Sequence, residues 1–202
     1  MKNHRDRSPS AKILIISLGC AKNLVDTEVI CGGLATAGFT LTNVPEVADV
    51  ILINTCSFIA DARAEATAEI QAALAWREQK PQRRLAVAGC LPQRDLGAAR
   101  AQFPQVDLFL GLDDVPNAAK LIAGLLEGRG GTASVTDSYP MPTYVYDHIT
   151  PRLQLTPPNY AYVKIAEGCN HHCRFCAIPR IRGKRRSRPM NSIVAECRML
   201  LG

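Results

Sequence analysis

From residue 11 to about residue 129, short apolar runs alternate with longer stretches whose apolar residues recur at helical spacing. The run at 13–18, ended by Gly19, reads as a buried strand. Residues 23–37 read as a helix with Leu24, Val25, Val29, Ile30 and Leu34 on its inward face, and Gly38 ends it. A second run at 50–54 precedes an Ala- and Glu-rich helix at 59–79, which Pro81 terminates. A third run at 85–88 ends at Gly89 and is followed by a short helix at 95–102. A fourth run at 108–110 leads into a closing helix at 113–126, and residues 39–41 supply a candidate edge strand. Strands alternating with helices of this length predict a parallel sheet covered on both faces, a flavodoxin-like α/β domain.

The pattern then changes. Residues 128–158 hold Gly128, Gly130, Gly131 and five prolines without a sustained period, which reads as a linker with a short strand near Val135. Residues 160–166 alternate as a strand does, a cysteine cluster and a basic loop follow, and Asn191 or Ser192 is placed to cap a helix running to 201. The expected organisation is a polar tail at 1–10, a domain at 11–128, a linker at 129–158 and a second unit at 159–202. One strand, one loop and one helix cannot bury a core of their own. The second unit is therefore expected to be the start of a larger domain, cut short.

Composition narrows the class. With 47% hydrophobic residues and only 5% aromatic ones, aliphatic side chains and alanine must build the core. The stretch 13–18 is too short for a signal-peptide core or a membrane span, so no membrane role and a cytoplasmic location are expected. In that reducing compartment eight cysteines point to metal or redox chemistry rather than disulfides. The net charge is +6, and Arg180, Arg182, Lys184, Arg185, Arg186 and Arg188 form one loop without an acid. Such a loop suits an anionic partner such as RNA or a ribosomal surface, and a merely solvated loop explains it equally well.

The sharpest chemical signal is Glu-Gly-Cys-Asn-His-His-Cys-Arg-Phe-Cys at 167–176, a C-x3-C-x2-C spacing directly after a predicted strand. Cys169, Cys173 and Cys176 can hold three corners of a 4Fe-4S cubane and leave its fourth iron open. S-adenosylmethionine (SAM) chelates such an iron before an electron breaks its carbon–sulfur bond. The competing reading is a structural zinc site completed by His171 or His172. Zinc motifs more often pair C-x2-C units at a distance, and no second pair lies in this segment.

Cys20, Cys56 and Cys90 are far apart in sequence, yet each directly follows one of the first three apolar runs. If those runs are parallel strands, the three thiols emerge at the carboxyl edge of one sheet, where open α/β folds bind ligands. Gly19 and Gly89 permit tight turns there. Three thiolates again suit a cluster with one open iron, against the blander reading of three buried cysteines acting as small hydrophobes. Cys31 and Cys197 sit among apolar helix neighbours and read as packing residues.

Two three-cysteine sets in this order resemble the radical SAM methylthiotransferase family, from Ser17-Leu18-Gly19-Cys20 through Arg182-Gly183 and Ser187-Arg188-Pro189. Residues 19–28, with Lys22-Asn23-Leu24-Val25-Asp26 after the cysteine, and Cys90-Leu91-Pro92-Gln93-Arg94 are similar to the branch that modifies a ribosomal protein (RimO type). The transfer-RNA branch (MiaB type) has Cys-Gln-Met-Asn instead. The resemblance implies a transferase with two 4Fe-4S clusters, one at Cys20, Cys56 and Cys90 and one at Cys169, Cys173 and Cys176, the second binding SAM. It implies insertion of a methylthio group on the β-carbon of an aspartate of the small-subunit protein uS12. An electron donor of flavodoxin or ferredoxin type is implied, and no catalytic residue beyond the cluster ligands is identified. A MiaB-like enzyme acting on transfer RNA is one alternative; most of the family's radical SAM barrel and its TRAM domain have no counterpart in these residues, so an inactive iron-sulfur-binding fragment is the other.

Overall fold

The computed structural model describes residues 11–128 and 138–201. Five strands form one parallel sheet: β1 (Lys12–Ser17), β2 (Thr40–Thr42), β3 (Val50–Thr55), β4 (Arg84–Gly89) and β5 (Leu108–Leu110), in the order β2-β1-β3-β4-β5. This is the flavodoxin-like order, in which the direction of winding switches between β1 and β3. The expected doubly wound domain is therefore present, with the segment at 39–41 realised as β2 on the edge.

The strands alternate between two cores. Ile13, Val50, Leu52, Ala86 and Ala88 face one side, where they pack with Val25, Val29, Ile30 and Leu34 of α1 (Ala21–Thr36) and Ile122 of α5 (Ala118–Leu126). Leu14, Ile51, Ile53, Leu85 and Val87 face the other side, against Ile70, Ala73 and Trp76 of α2 (Ala60–Glu78) and Phe103. Burial on both faces is why these strands read as continuous apolar runs rather than as alternating ones.

Element ends show where local chemistry was underestimated. A short α3 (Cys90–Arg94) begins on the third cysteine itself, and Asp95 then caps α4 (Leu96–Gln102) by accepting from the Ala98 amide at 2.9 Å. The closing helix is preceded by a 3-10 turn, Leu112–Asn117, because Pro116 lacks the amide an α-helix would use.

Beyond the sheet domain the described chain holds β6 (Ala166–Glu167), α6 (Ile178–Ile181), β7 (Arg186–Ser187) and α7 (Met190–Leu200). The predicted strand at 160–166 is corrected to β6 alone. A strand needs a paired neighbour, and β7, antiparallel to β6, reaches only Ala166 and Glu167. The expected short strand near Val135 lies outside the described residues. Pro189, not Asn191 or Ser192, takes the N-cap position of α7. Ser192 Oγ instead accepts from Arg188 Nη2 at 3.0 Å.

Residues 138–158 lie packed along the sheet domain. Tyr139 donates to the Phe109 carbonyl at 2.7 Å, and the Thr143 and Tyr144 amides donate to Asp113 at 2.8 Å. No described helix is long and apolar enough to cross a membrane.

Candidate functional site

The parallel sheet directs its carboxyl edge toward one cavity of about 840 Å³, and Cys20, Cys56 and Cys90 all line it. Cys20 leaves β1, Cys56 leaves β3 and Cys90 leaves β4, so the cavity sits at the switch point of the fold. The turns before two of these cysteines need glycine. Gly19 has φ 89° and Gly89 has φ 93°. A Cβ at Gly19 would strike Cys56, and one at Gly89 would strike Asn54 Oδ1. Cys20 caps the 16-residue α1, so the positive end of that helix dipole faces the cavity.

A polar stripe on α1 fixes this edge. Asn23 Nδ2 donates to the Leu18 carbonyl at 3.1 Å and to the Thr55 carbonyl at 2.7 Å. Asn54 Nδ2 donates to the Asn23 carbonyl and to Thr27 Oγ1, both at 2.9 Å. The strand ends that carry Cys20 and Cys56 are thereby tied to one helix.

The opposite wall of the cavity comes from the second segment, through Gly168, Ile178, Ile181 and Arg182. Arg182 is buried and forked. Its Nη2 lies 2.7 Å from Asn23 Oδ1, 2.9 Å from Asp26 Oδ2 and 3.7 Å from Cys90 Sγ, while its Nη1 donates to both oxygens of Glu167 at 3.0 Å. Lys164 Nζ pairs with Asp26 at 2.5 Å and with Glu167, and Lys22 donates to the Ala166 carbonyl at 2.5 Å. Burial pushes the Cys90 thiol up to about 11, with the Arg182 charge opposing that rise. Burial alone would also raise Glu167, but Lys164 and Arg182 overcome it and hold this carboxyl at about 2.

The other candidate set is differently placed. Cys173 is exposed, Cys169 and Cys176 are half-buried, and none of the three lines the cavity. The loop folds back on itself: the Cys169 amide donates to the Gly183 carbonyl at 3.1 Å and the Cys176 amide to the Cys173 carbonyl at 3.0 Å. The His171 amide points at Cys169 Sγ from 3.5 Å, and both His171 and His172 are exposed. Among the described residues no three His, Cys, Asp or Glu side chains converge closely enough to hold a single metal ion.

A family described as "Uncharacterized protein family UPF0004" matches residues 12–111, which cover the whole parallel sheet. A protein of Syntrophus aciditrophicus (strain SB) named ribosomal protein uS12 methylthiotransferase RimO is 46% identical over 190 residues, spanning 93% of this chain and 41% of that protein. A protein of the same name from Heliobacterium modesticaldum is 47% identical, spanning 94% of this chain and 40% of its own length. One from Opitutus terrae is 43% identical over 198 residues.

The chain belongs to the RimO-type methylthiotransferase family.

It spans about two fifths of the length of these relatives. In this RimO-type chain the residues that resembled the ribosomal-protein branch, 22–26, do more than follow a cysteine. Lys22, Asn23 and Asp26 are the contacts through which α1 receives Lys164, Glu167 and Arg182. Two residues after Asp26, Glu28 accepts from Arg152 at 2.5 Å, and Arg152 reaches Glu196 at 2.5 Å. Glu196 also pairs with Arg188 and accepts from Tyr146 at 2.8 Å. The sequence reading missed Asn23, Asp26, Glu28, Arg152, Lys164, Glu167 and Glu196 as a group. The available signal was a stripe of polar residues on one face of an otherwise buried helix, which demands partners.

The basic loop is also revised. Arg182 and Arg188 are buried and paired, and Arg186 donates to the Arg182 and Lys184 carbonyls, so half of its cations serve the interior. Arg180, Lys184 and Arg185 are the ones that face solvent. Cys31 is buried as expected, whereas Cys197 is half-buried.

Proposed function

We propose that this chain carries two 4Fe-4S clusters, at Cys20, Cys56 and Cys90 and at Cys169, Cys173 and Cys176, as part of a radical SAM methylthiotransferase acting on uS12. The observation that carries this reading is that three cysteines remote in sequence line one cavity at the carboxyl edge of the sheet. An apolar, thiol-lined cavity fits a cluster, which is wider than a single ion and anionic. A loop of three accessible cysteines, with the His171 amide aimed at Cys169 Sγ, fits the second. When bound, the cluster at Cys169, Cys173 and Cys176 would supply the electron that cleaves SAM, and the cluster at Cys20, Cys56 and Cys90 would hold the sulfur that is transferred to the β-carbon of the aspartate.

The residues of this chain divide that work. Phe58, Ile59, Ala62, Ile178 and Ile181 give the cavity apolar walls. Lys22 and Arg182 bring positive charge to the same cavity, and Asp61 and Glu65 bring negative charge. The docking of the second segment on α1 fixes the separation of the two cysteine sets. On this reading residues 11–128 are the cluster domain, 129–158 connect it, 159–202 open the radical SAM domain, and 1–10 form a tail. The relatives' printed name supports uS12, on the small ribosomal subunit and hence in the cytoplasm, as the substrate. Arg180, Lys184 and Arg185 are the residues available for RNA contact, and an electron donor of flavodoxin or ferredoxin type completes the set of partners.

The test is to reduce the cluster-loaded protein with SAM beside either small subunits or tRNA and to follow both by mass spectrometry. A methylthio group on an aspartate of uS12 is the expected product. Modified tRNA with unmodified uS12 would overturn the assignment to the ribosomal branch.

A further inference from the structure

We propose that Arg182 is a positioning residue of the Cys20, Cys56 and Cys90 site, so that this site is incomplete until the second segment docks on the sheet domain. The inference rests on the cluster reading of that cavity. Its observations are separate from the cysteine spacing. Arg182 comes from a part of the chain 92 residues away from Cys90, yet its Nη2 stands 3.7 Å from Cys90 Sγ. It lines the same cavity as the three thiols and is 5% exposed.

A buried guanidinium is costly unless every prong is paired, and four groups hold this one. Asn23, Asp26 and Glu167 take its hydrogen bonds and orient the planar fork, leaving Nη2 in reach of the sulfur. Asp26 and Glu167 also take the Lys164 ammonium, so two buried cations share two buried carboxylates and the fork is held in place against Cys90. Arg182 thus holds a guanidinium charge 3.7 Å from a ligand sulfur, the kind of outer contact that tunes retention and potential of a metal group. Nothing in its local sequence marks this role, since it reads as one more cation of a basic loop.

The experiment uses the chain with Cys169, Cys173 and Cys176 all replaced by Ala, so that only the first site can load. Iron content, the rate of iron loss to a chelator and the midpoint potential are compared with and without Arg182→Gln and Arg182→Lys. The expected result is iron loss faster by about tenfold in the Gln variant, by the size usual for outer contacts. Its potential should be more negative, and the Lys variant should fall between the two. Loading without change in release rate or potential in both variants would overturn the proposal. If the Gln variant does not fold, the Lys variant decides alone, because it keeps the charge but not the fork. A chain with intact Arg182 that takes up no iron would instead refute the cluster reading itself, and the two failures are distinguishable.

Discussion

The two three-cysteine sets are built by opposite means. Cys169, Cys173 and Cys176 lie within one loop of eight residues, are partly or fully exposed, and are held by hydrogen bonds within residues 169–183. Cys20, Cys56 and Cys90 are brought together only by the parallel register of β1, β3 and β4, and two of them are buried. A local site survives as long as its loop does. A site assembled by a sheet depends on every contact that sets the strand ends, and here also on a side chain from the second segment. The comparison teaches that damage far from the cysteines should reach the first set and spare the second.

The largest effect is expected from Arg152→Ala. It leaves the buried Glu28 carboxylate without its cation, while Glu196 keeps Arg188, and such breaks cost about 3–5 kcal/mol. Chemical denaturation should show that loss, with the second segment released from α1. Gly89→Ala comes next: φ 93° is unfavourable for any side chain and Asn54 blocks the Cβ, at about 1–3 kcal/mol or more. Iron binding should fall at the first set, and Cys169, Cys173 and Cys176 should load as before.

Acid offers a reversible version of the same break. The Glu167 carboxyl is held at about 2, below its ordinary 4.5, by Lys164 and Arg182 against the opposing effect of burial. A depressed carboxyl contributes its stability above its unfolded value and loses it as the pH falls through the folded one. Hydrogen exchange of 164–188 should therefore accelerate as pH drops from about 4.5 toward about 2, ahead of exchange in the central strands. The smallest effect belongs to Lys22→Ala. Its side chain is 43% exposed and its ion pair with Glu167 is 3.6 Å long, so thermal unfolding should move by less than about 1 kcal/mol.

What could be read in advance follows from the same contrast. The runs at 13–18, 50–54 and 85–88 became the central strands because residues buried on both faces must be apolar throughout, and the run at 108–110 became the edge strand β5. Cys169, Cys173 and Cys176 were legible because their spacing is itself the geometry. The run at 160–166 alternated correctly but has only β7 to pair with among the described residues, so β6 is two residues long. Arg182 was read as a basic-loop charge, Asp26 and Glu28 only as part of the motif that follows Cys20, and Lys164 only as a position in the run at 160–166. Pairing between residues 156 positions apart, as for Asp26 and Arg182, leaves no periodic trace in either partner's neighbourhood.

The most direct test of the account is iron and acid-labile sulfide per chain after anaerobic reconstitution, with Cys20→Ala and Cys169→Ala beside the unaltered protein. Two independent cubanes predict about eight irons, falling by about four in each variant. Zinc in place of iron, or a single cluster that persists in Cys20→Ala, would contradict it.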